Sequence, residues 1–575
     1  MTPPNRTALW AETIVEECAA AGIERAVIAP GSRSTPLVVA FADHDDIETL
    51  VHPDERSAAY LAVGHGRATG RPTAVVTTSG TAVANCHPAV MEADEGRVPL
   101  VVLTADRPPE LLDSGANQTT KQSGVFASAP RYERTLPEPA PEARRLRSLR
   151  VTVGRAVDAA IGPPAGPVHL DVPFSKPLEP TPDGSVPADL TERAPVGAAG
   201  RNGPAVTVDR GRCEPTGDAV DRIADALADA DRPAIVVGPR GPPIPDRGPL
   251  AALAERANAP VFADPLSGRR FGMPAAFGAY DGLYAAIDAP APDVAVRFGL
   301  SPTSKPLRQR LAAADPTQFL VDPAVEYREA TFHAGHIIGA DPTALVRRVT
   351  DRLDDRSGGD WPAAVDSAAA TYWATVATAC DGAWTAGAVV RAIVEAVPEG
   401  VSLFAGNSMP VRDIDRFARP TDRRLAVFGN RGVSGIDGLT STALGIADAD
   451  GPVVAIVGDQ TALHDIGGLI AADRIDGPAT IVVLNNDGGG IFEHLPIADH
   501  ETFEAFFRAP HGRTFDHAAA QYDLSYRRVA DRSALDAALA DADRPAIVEC
   551  DLCDADSHAW RESLTERVAD RVDWD

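Results

Sequence analysis

Short runs of apolar and β-branched residues alternate with helix-like stretches along the chain, and the first third sets this pattern. Its strongest runs begin at Ala26, Ala74, Leu100 and Val168. Continuous apolar runs of this kind, separated by stretches long enough for a helix, are typical of strands buried on both faces of a parallel sheet. The pattern therefore predicts a first α/β domain over residues 1–182.

The middle of the chain repeats the alternation on a smaller scale. Residues 183–212 are rich in Pro, Gly, Asp and Thr and show no periodicity, which predicts a linker. Strand-like runs at Ala234 and Asp293 follow, and a charged, glycine-broken stretch over 351–360 ends this part of the chain. We therefore predict a smaller α/β domain over residues 213–355.

A third series of apolar runs begins at Val453, Ile481 and Ala546. It predicts a last α/β domain over residues 356–575. A chain of 575 residues also exceeds what one hydrophobic core usually supports, so several domains are expected on size alone. The predicted fold class is α/β with three domains, each a mostly parallel sheet flanked by helices.

The charge of the chain limits its partners. The formal net charge is -27, and only three of the 54 basic residues are lysines, namely Lys121, Lys176 and Lys305. Such a surface repels polyanions, so we expect no nucleic acid partner. An acidic, lysine-poor composition is typical of proteins from a high-salt cytoplasm, because the Debye length falls to about 3 Å at about 1 M salt.

This composition predicts salt tolerance. We expect the fold and the activity to persist in molar KCl, because screening removes the mutual repulsion of the 81 acidic residues. Circular dichroism and activity assays across a KCl series measure both properties. Loss of fold or activity in molar KCl, with both retained at low salt, would contradict the prediction.

The N-terminal residues and the apolar runs predict neither a targeting segment nor a membrane span. The start, Met1-Thr-Pro-Pro-Asn-Arg-Thr, lacks a basic segment followed by an apolar one. Apolar runs such as the one from Ala479 are far too short to cross a bilayer. We therefore expect a cytoplasmic protein that does not associate with membranes.

The six cysteines are scattered along the chain, which favours reduced thiols over a disulfide framework. Cys550 and Cys553 have the spacing of half a zinc site, and His558 lies close in sequence. No second Cys or His pair follows to complete four ligands, so two cysteines at a strand end are the favoured interpretation.

The segment Val453-Val-Ala-Ile-Val-Gly458-Asp459 is a buried-type strand that ends in Gly-Asp, and Asn486 follows 27 residues after Asp459. The carboxyl ends of parallel strands form the ligand crevice of an α/β sheet, where glycine and helix N-termini suit a diphosphate. Mg2+ prefers carboxylate, amide and backbone oxygens together with phosphate oxygens. Asp459, Asn486 and the Gly488 carbonyl would supply such a set.

Each of these motifs alone is an ordinary turn, but the pair at this separation resembles the motif of thiamine-diphosphate-dependent enzymes. The resemblance implies thiamine diphosphate with Mg2+ or Mn2+ as cofactors, and α/β domains that bind the pyrimidine and the diphosphate. Gln460 replaces a common glycine of the motif, and Asp487 a common asparagine. The implied cofactor-binding residues of this region are Gly458, Asp459, Gln460, Asn486, Gly488, Gly489 and Ile491.

A thiamine enzyme needs a carboxylate against the pyrimidine ring, because that contact promotes the tautomer that activates the thiazolium carbon. Glu55 is the candidate, since a strand gives way to an apolar helix there. Alone, a glutamate at a helix start is more often a surface residue that stabilises the helix dipole. The segment Thr78-Ser79-Gly80-Thr81-Ala-Val-Ala-Asn85 resembles the superfamily's next cofactor-contacting turn and favours the functional interpretation.

Five longer segments carry a more specific signal than the cofactor motif. They are Ile28-Ala-Pro-Gly-Ser32-Arg33-Ser34-Thr-Pro-Leu, Thr104-Ala-Asp106-Arg107-Pro-Pro-Glu110-Leu, Gly115-Ala-Asn117-Gln118, Asn430-Arg431-Gly-Val-Ser-Gly-Ile436-Asp437-Gly438 and Gly489-Gly490-Ile491-Phe492. Together they resemble one family of these enzymes, the 2-succinyl-5-enolpyruvyl-6-hydroxy-3-cyclohexene-1-carboxylate synthases of menaquinone biosynthesis (the MenD family). The resemblance covers the first and third domains well, whereas the central domain matches in type more than in sequence.

The resemblance implies decarboxylation of 2-oxoglutarate on thiamine diphosphate and 1,4-addition of the resulting succinyl-semialdehyde carbanion to isochorismate. Each of these substrates carries two carboxylates, which arginine binds well through its bidentate fork. The implied catalytic residues are Glu55, Arg33, Gln118, Ser408 and Arg412. The implied substrate-binding residues are Ser32, Arg33, Arg107, Asn117, Gln118, Lys305, Ser408, Arg412, Arg431 and Phe492.

Further implied cofactor contacts come from Thr78, Asn407, Met409 and Ile436. Ile436 would be the wedge that bends the cofactor, although without the surrounding motif an isoleucine is more often a core residue. Ser408 and Arg412 are four residues apart, so one helical face would bring them together.

Related enzymes build this site across two subunits, so a homodimer or a homotetramer is implied. Two alternatives stay open. The first alternative is another thiamine-dependent enzyme, such as a 2-oxoacid decarboxylase or an acetohydroxyacid synthase. The second alternative is a catalytically silent paralogue. A flavin spectrum or a preference for pyruvate would favour the first alternative, and cofactor binding without CO2 release would favour the second.

Overall fold

The computed structural model describes residues 3–354, 360–540 and 545–574. In these residues eighteen strands form three sheets of six strands each, and neighbouring strands run parallel throughout. This confirms the fold class predicted from the alternating pattern. The predicted domain boundary at 355–356 lies outside the described residues.

The first sheet has the order β2-β1-β3-β4-β6-β5. Its central strands are fully buried, as the apolar runs predict. The strands are β1 Arg25–Ile28, β2 Glu48–Val51, β3 Thr73–Thr77, β4 Leu100–Asp106, β5 Tyr132–Thr135 and β6 Pro167–Pro173. The helices along this part of the chain are α1 Arg6–Ala20, α2 Thr35–Ala42, α3 Glu55–Thr69, α4 Thr81–Asn85, α5 His87–Glu95, α6 Ala143–Ile161, α7 Leu190–Arg193 and α8 Pro195–Ala199.

The second sheet has the order β12-β11-β10-β7-β8-β9. Its strands are β7 Pro233–Val237, β8 Val261–Ala263, β9 Ala276–Phe277, β10 Val294–Phe298, β11 Thr317–Val321 and β12 His336–Ile338. The helices of this part are α9 Gly217–Asp229, α10 Arg247–Arg256, α11 Tyr280–Ala286, α12 Lys305–Ala314 and α13 Pro342–Thr350.

The third sheet has the order β14-β13-β15-β16-β18-β17. Its strands are β13 Ser402–Ala405, β14 Val427–Phe428, β15 Val453–Gly458, β16 Ala479–Asn485, β17 Ser525–Val529 and β18 Ala546–Asp551. The helices of this part are α14 Asp360–Cys380, α15 Ala386–Ala396, α16 Met409–Phe417, α17 Leu439–Asp450, α18 Asp459–His464, α19 Asp516–Gln521, α20 Arg532–Leu539 and α21 Ser557–Arg571. Short 3-10 turns span Ser32–Ser34, Pro109–Leu111, Pro265–Ser267, Ile466–Ala471, Gly490–His494 and Pro496–Asp499, and a π-helical turn spans Glu504–Arg508.

Each sheet has a neighbouring strand pair from which the strand order runs in opposite directions. The pair is β1 and β3 in the first sheet, β10 and β7 in the second, and β13 and β15 in the third. Loops that leave the carboxyl ends of such a strand pair diverge and open a crevice, which is where open α/β sheets bind their ligands. Polar site residues are therefore expected near such reversal points, and the sequence-predicted residues follow the strands at those of the first and third sheets.

The chain divides into two compact units. The first unit comprises Met1–Arg210, Asn430–Gly451 and His464–Gly477, and the second comprises Gly211–Gly429, Pro452–Leu463 and Pro478–Asp575. The second unit holds the second and third sheets. Helix α17 thus belongs to the same unit as the first sheet.

Two glycines let helices α3 and α17 of the first unit approach closely. A Cβ added at Gly64 would overlap the backbone carbonyl of Thr442, and one added at Gly445 would overlap the carbonyl of Leu61. Backbone on each helix occupies the space that a side chain would need. Close approach of this kind requires residues without a Cβ.

The stretch predicted as a linker is not without structure. Helices α7 and α8 lie within it, and Glu17 of α1 accepts a hydrogen bond from the backbone N–H of Ala205 at 2.5 Å. Composition alone missed these short helices because each is too brief to show a periodic pattern. Among the described residues we find no helix with both the length and the apolar character needed to cross a membrane.

Candidate active site

The reversal point of the first sheet joins the loops that follow β1 and β3. A Cβ added at Gly31 would lie 2.5 Å from the Cβ of Thr78, so glycine allows the two loops to touch. Arg33 is buried, and its guanidinium donates a hydrogen bond to the Phe174 carbonyl at 2.6 Å. Ser32 beside it is exposed to solvent. Burial and the neighbouring Arg107 charge lower the pKa of the Arg33 side chain.

Ser79, which follows Thr78, gathers three of the residues that the sequence singles out. The Arg107 guanidinium donates to Ser79 Oγ at 2.7 Å and to the Asn117 carbonyl at 2.9 Å. The Gln118 side chain donates to the Ser79 carbonyl at 3.1 Å, and Gln118 itself has a φ of 55°. The structure therefore brings Arg107, Asn117 and Gln118 together at the first reversal point.

A buried polar network behind these residues escaped sequence reasoning. Gln122 accepts a hydrogen bond from the Gly80 N–H at 3.0 Å and donates to the Asp171 carboxylate at 2.7 Å. Burial, and then the nearby Asp171, raise the pKa of Asp106 to about 7. Residues of this network lie inside strands or their adjoining loops, where the apolar pattern hides individual polar positions.

Glu55 begins helix α3, as the sequence predicts. Its side chain is half-buried, and Asn85 Nδ2 donates to Glu55 Oε2 at 3.0 Å. Asp54 caps the helix by accepting a hydrogen bond from the Arg56 N–H at 3.0 Å. The cap fixes the helix start, and Asn85 fixes one oxygen of the carboxylate.

Arg431 and Ile436 lie in the loop that precedes α17 of the first unit. Ile436 is 37% exposed, so the alternative of a core isoleucine is wrong for this position. The next residue, Asp437, accepts a hydrogen bond from the Tyr60 hydroxyl of α3. That bond anchors the loop and leaves the isoleucine side chain at the surface of the unit.

The reversal point of the third sheet, in the second unit, carries another set of predicted residues. Asn407 is buried just beyond β13, and Met409 begins helix α16. The expectation that Ser408 and Arg412 share one helical face is wrong in detail, because Ser408 precedes the helix with a φ of 70°. They still meet, since the Arg412 guanidinium donates to the Ser408 carbonyl.

Lys305 and Phe492 belong to the same unit but lie on other elements than Ser408 and Arg412. Lys305 is the first residue of helix α12, and its side chain is exposed. Phe492 packs edge to face against Phe507, with ring centroids 5.6 Å apart.

Asp459 stands directly after β15, and both of its carboxylate oxygens accept backbone hydrogen bonds. Oδ1 accepts from the Gln460 N–H at 2.6 Å, and Oδ2 accepts from the Gly488 N–H at 2.8 Å. The side chain is buried, which raises the pKa of Asp459. The predicted ends of β15 and β16 therefore meet through a direct contact between Asp459 and Gly488.

The turn after β16 depends on its glycines. Gly488 has a φ of 140°, and a Cβ there would overlap the Arg508 carbonyl. That carbonyl accepts hydrogen bonds from the Gly489 N–H at 2.8 Å and from the Gln460 side chain at 3.3 Å. Gln460, which departs from the common motif, thus shares the Arg508 carbonyl as an acceptor with the Gly489 N–H of this turn.

The donor set at this point fits a hard divalent cation. It offers a buried carboxylate, the Asn486 amide and the Gly488 carbonyl, all oxygen donors on two adjacent strand ends. Mg2+ is often held by one or two carboxylates together with phosphate oxygens. Sequence reasoning missed His511, whose Nε2 lies 3.2 Å from Asp459 Oδ2, because nothing in its local pattern ties it to β15.

The alternative zinc site receives no support. Cys550 is buried in a strand, and Cys553 is exposed beyond it. In residues 3–354, 360–540 and 545–574 no group of three or more His, Cys, Asp or Glu side chains is placed to hold a metal ion.

Family models match two separate parts of the chain. Residues 10–125 match the family model "Thiamine pyrophosphate enzyme, N-terminal TPP binding domain", and residues 416–550 match "Thiamine pyrophosphate enzyme, C-terminal TPP binding domain". These ranges contain Glu55 and Asp459, respectively. The chain therefore has both cofactor-binding domains of a thiamine pyrophosphate enzyme.

Three curated relatives carry the name 2-succinyl-5-enolpyruvyl-6-hydroxy-3-cyclohexene-1-carboxylate synthase. The protein from Natronomonas pharaonis is 48% identical over 100% of both chains, and that from Halobacterium salinarum is 50% identical over 99% of both. The protein from Roseiflexus castenholzii is 45% identical over 92% of this chain and 93% of its own. The chain belongs to the 2-succinyl-5-enolpyruvyl-6-hydroxy-3-cyclohexene-1-carboxylate synthase family of thiamine pyrophosphate enzymes.

Proposed function

We propose that this enzyme decarboxylates 2-oxoglutarate and adds the remaining four-carbon unit to isochorismate in a 1,4 sense, releasing CO2. The observation that carries the proposal is the clustering of Arg107, Asn117 and Gln118 around Ser79 at a sheet reversal point. Two dicarboxylate substrates need cations and amides of this kind. The family membership supports the same reaction.

We propose that Asp459, Asn486 and the Gly488 carbonyl hold Mg2+ or Mn2+, which in turn binds the diphosphate of the cofactor. When bound, thiamine diphosphate supplies the electron sink for loss of CO2 from a 2-oxo acid. The other proposed cofactor contacts are Glu55, Thr78, Asn407, Met409, Ile436, Gly458, Gln460, Gly489 and Ile491.

Glu55 would exchange a proton with the pyrimidine ring. Asn85 donates to Oε2, so Oε1 is the atom that we assign to this proton. A bond to only one oxygen orients the carboxylate and leaves the other available. A general acid or base of this kind contributes about 100- to 10,000-fold to a rate.

The remaining residues would bind and orient the two substrates. Arg33, Arg107, Lys305, Arg412 and Arg431 would offset the substrate carboxylates and fix their positions. Ser32, Asn117, Gln118, Ser408 and Phe492 would complete the pocket. Arg33 suits this role, because it is buried beside Arg107. Burial and the like charge of Arg107 both disfavour the charged guanidinium, and a bound carboxylate would stabilise it.

We further propose a homodimer or homotetramer in the cytoplasm, with each active site built from two subunits. The domain limits that we propose are 1–182 for the pyrimidine-binding domain, 183–212 for a linker, 213–355 for the central domain and 356–575 for the diphosphate-binding domain. Cross-linking and light scattering in high salt would measure the oligomeric state.

The test is an assay of the purified full-length protein in molar KCl with thiamine diphosphate, Mg2+, 2-oxoglutarate and isochorismate. We expect loss of isochorismate, equimolar CO2 and a product whose mass equals the sum of the substrates minus CO2. Omission of isochorismate is the matched control for simple decarboxylation.

The outcomes separate the alternatives. Release of CO2 without coupling would indicate a 2-oxoacid decarboxylase, and preference for pyruvate would indicate an acetohydroxyacid synthase. Cofactor binding without any CO2 release, at low and high salt, would indicate a silent paralogue and overturn the proposal.

A further inference from the structure

The segment 511–513, which follows the π-helical turn, is hydrogen-bonded to the end of β16 and to the turn after it. Asp487 Oδ1 accepts hydrogen bonds from the backbone N–H groups of His511 and Gly512, at 2.9 and 2.7 Å. The Asn485 side chain donates to the Arg513 carbonyl at 2.9 Å. Asn485 at the end of β16 and Asp487 in the turn after it thus hold the 511–513 loop in a defined place.

This attachment directs the His511 imidazole at Asp459. Its Nε2 lies 3.2 Å from Asp459 Oδ2 but makes no hydrogen bond within the described residues, and 14% of the His511 side chain is exposed. The Arg513 N–H donates to His511 Nδ1 at 3.0 Å, so Nδ1 acts as an acceptor and carries no hydrogen. In the neutral ring the hydrogen is therefore on Nε2, which faces the carboxylate.

Nitrogen atoms from two different loops consequently lie close to Asp459 Oδ2. The Gly488 N–H belongs to the turn after β16, and His511 belongs to the loop bound to that turn. The Gly488 N–H donates to this oxygen, and a small rotation of the imidazole or of the carboxylate would let His511 Nε2 donate to it as well. Outer-sphere hydrogen bonds of this kind orient a metal ligand and typically account for about 10- to 100-fold in metal affinity.

We propose that His511 is a positioning residue for the metal site, acting through Asp459 rather than on the substrates. With Mg2+ bound, its Nε2–H would donate to Asp459 Oδ2 and hold the carboxylate in the orientation of a metal ligand, while the Arg513 N–H fixes its Nδ1. This inference rests on the proposed role of Asp459 as a metal ligand. It adds a residue of the 511–513 loop to a site otherwise built from the ends of β15 and β16.

Two variants of His511 test the roles of the two ring nitrogens separately. His511→Gln places an amide N–H near the position of Nε2 and loses the acceptor for Arg513. His511→Asn keeps an acceptor near the position of Nδ1 and loses the donor to Asp459. We expect His511→Asn to weaken Mn2+ binding about 10- to 100-fold and His511→Gln to stay within about threefold of the unaltered protein.

The measurement is the dissociation constant of Mn2+, read from the electron paramagnetic resonance of free Mn2+ with saturating thiamine diphosphate. His517→Asn is the matched control, because the His517 side chain is 97% exposed. Circular dichroism checks that each variant is folded. A purely structural role would reverse the order, with His511→Gln the weaker binder, and equal affinities for both variants would also overturn the proposal.

Asp459→Asn distinguishes failure of this inference from failure of the proposed metal site. If the unaltered protein binds Mn2+ and Asp459→Asn does not, the metal site stands whatever the His511 variants show. If Asp459→Asn binds Mn2+ as tightly as the unaltered protein, both the metal role of Asp459 and the role of His511 are wrong.

Discussion

Replacing Glu55 by glutamine is expected to lower kcat for product formation by about 100- to 10,000-fold, while binding of thiamine diphosphate and the fold are retained. Glutamine has the same length and keeps a carbonyl that accepts the Asn85 hydrogen bond, but it cannot hold the exchanged proton. The rate of isochorismate consumption and the release of CO2 measure the loss.

The helix start provides the stability control. An acidic residue in the first turn stabilises a helix by about 0.3–1 kcal/mol. Glu55→Gln should therefore unfold at a temperature only slightly below that of the unaltered protein. Glu192→Gln makes the same change in the first turn of α7, where the side chain is exposed, and should leave kcat unchanged. A Glu55→Gln enzyme within threefold of full activity would refute the assigned role.

The sequence predicts the central strands of each sheet better than the edge strands, for a physical reason. Strands β4, β6 and β16 are buried along their whole length, so they appear as continuous apolar runs. The edge strands β2 and β5 are Glu-Thr-Leu-Val and Tyr-Glu-Arg-Thr, and most of their residues reach solvent. Without an apolar run or a strict alternation, nothing local marks them as strands.

The residues of the candidate site differ in the same way in how well the sequence predicts them. Asp459 and Asn486 follow apolar runs, so their position at strand ends is evident from the sequence, and β15 and β16 end beside them. Gln122 and His511 have no such neighbours. Their relevance comes from contacts with Gly80, Asp171 and Asp459 that exist only in the folded chain.

The grouping of α17 with the first sheet also exceeds what the pattern can predict. Helix α17 spans Leu439–Asp450, and the hydrophobic pattern of the sequence does not show which sheet this helix accompanies. The signal is a pair of glycines, Gly64 and Gly445, that allow close backbone approach. Isolated glycines in helices have several explanations, so they gain this meaning only from the partner that they face.

Replacing Asp459 by asparagine is expected to weaken Mn2+ binding more than 100-fold and to abolish product formation. Loss of an outer-sphere partner alone costs about 10- to 100-fold, and here the charged oxygen ligand itself is lost. Asparagine must also turn its NH2 group toward a donor, because Oδ1 and Oδ2 each accept a backbone N–H. Electron paramagnetic resonance of free Mn2+ measures the binding.

Thermal unfolding separates a lost metal site from a damaged fold. In the unaltered protein, Mg2+ with thiamine diphosphate at about 100 times Kd should stabilise the folded state by about 2.7 kcal/mol, and chelation by EDTA should remove the gain. Asp459→Asn should show no such gain, whereas Asp536→Asn, at a partly exposed carboxylate in α20, should show all of it. An unchanged ligand-induced shift in Asp459→Asn would mean that the cation is bound elsewhere.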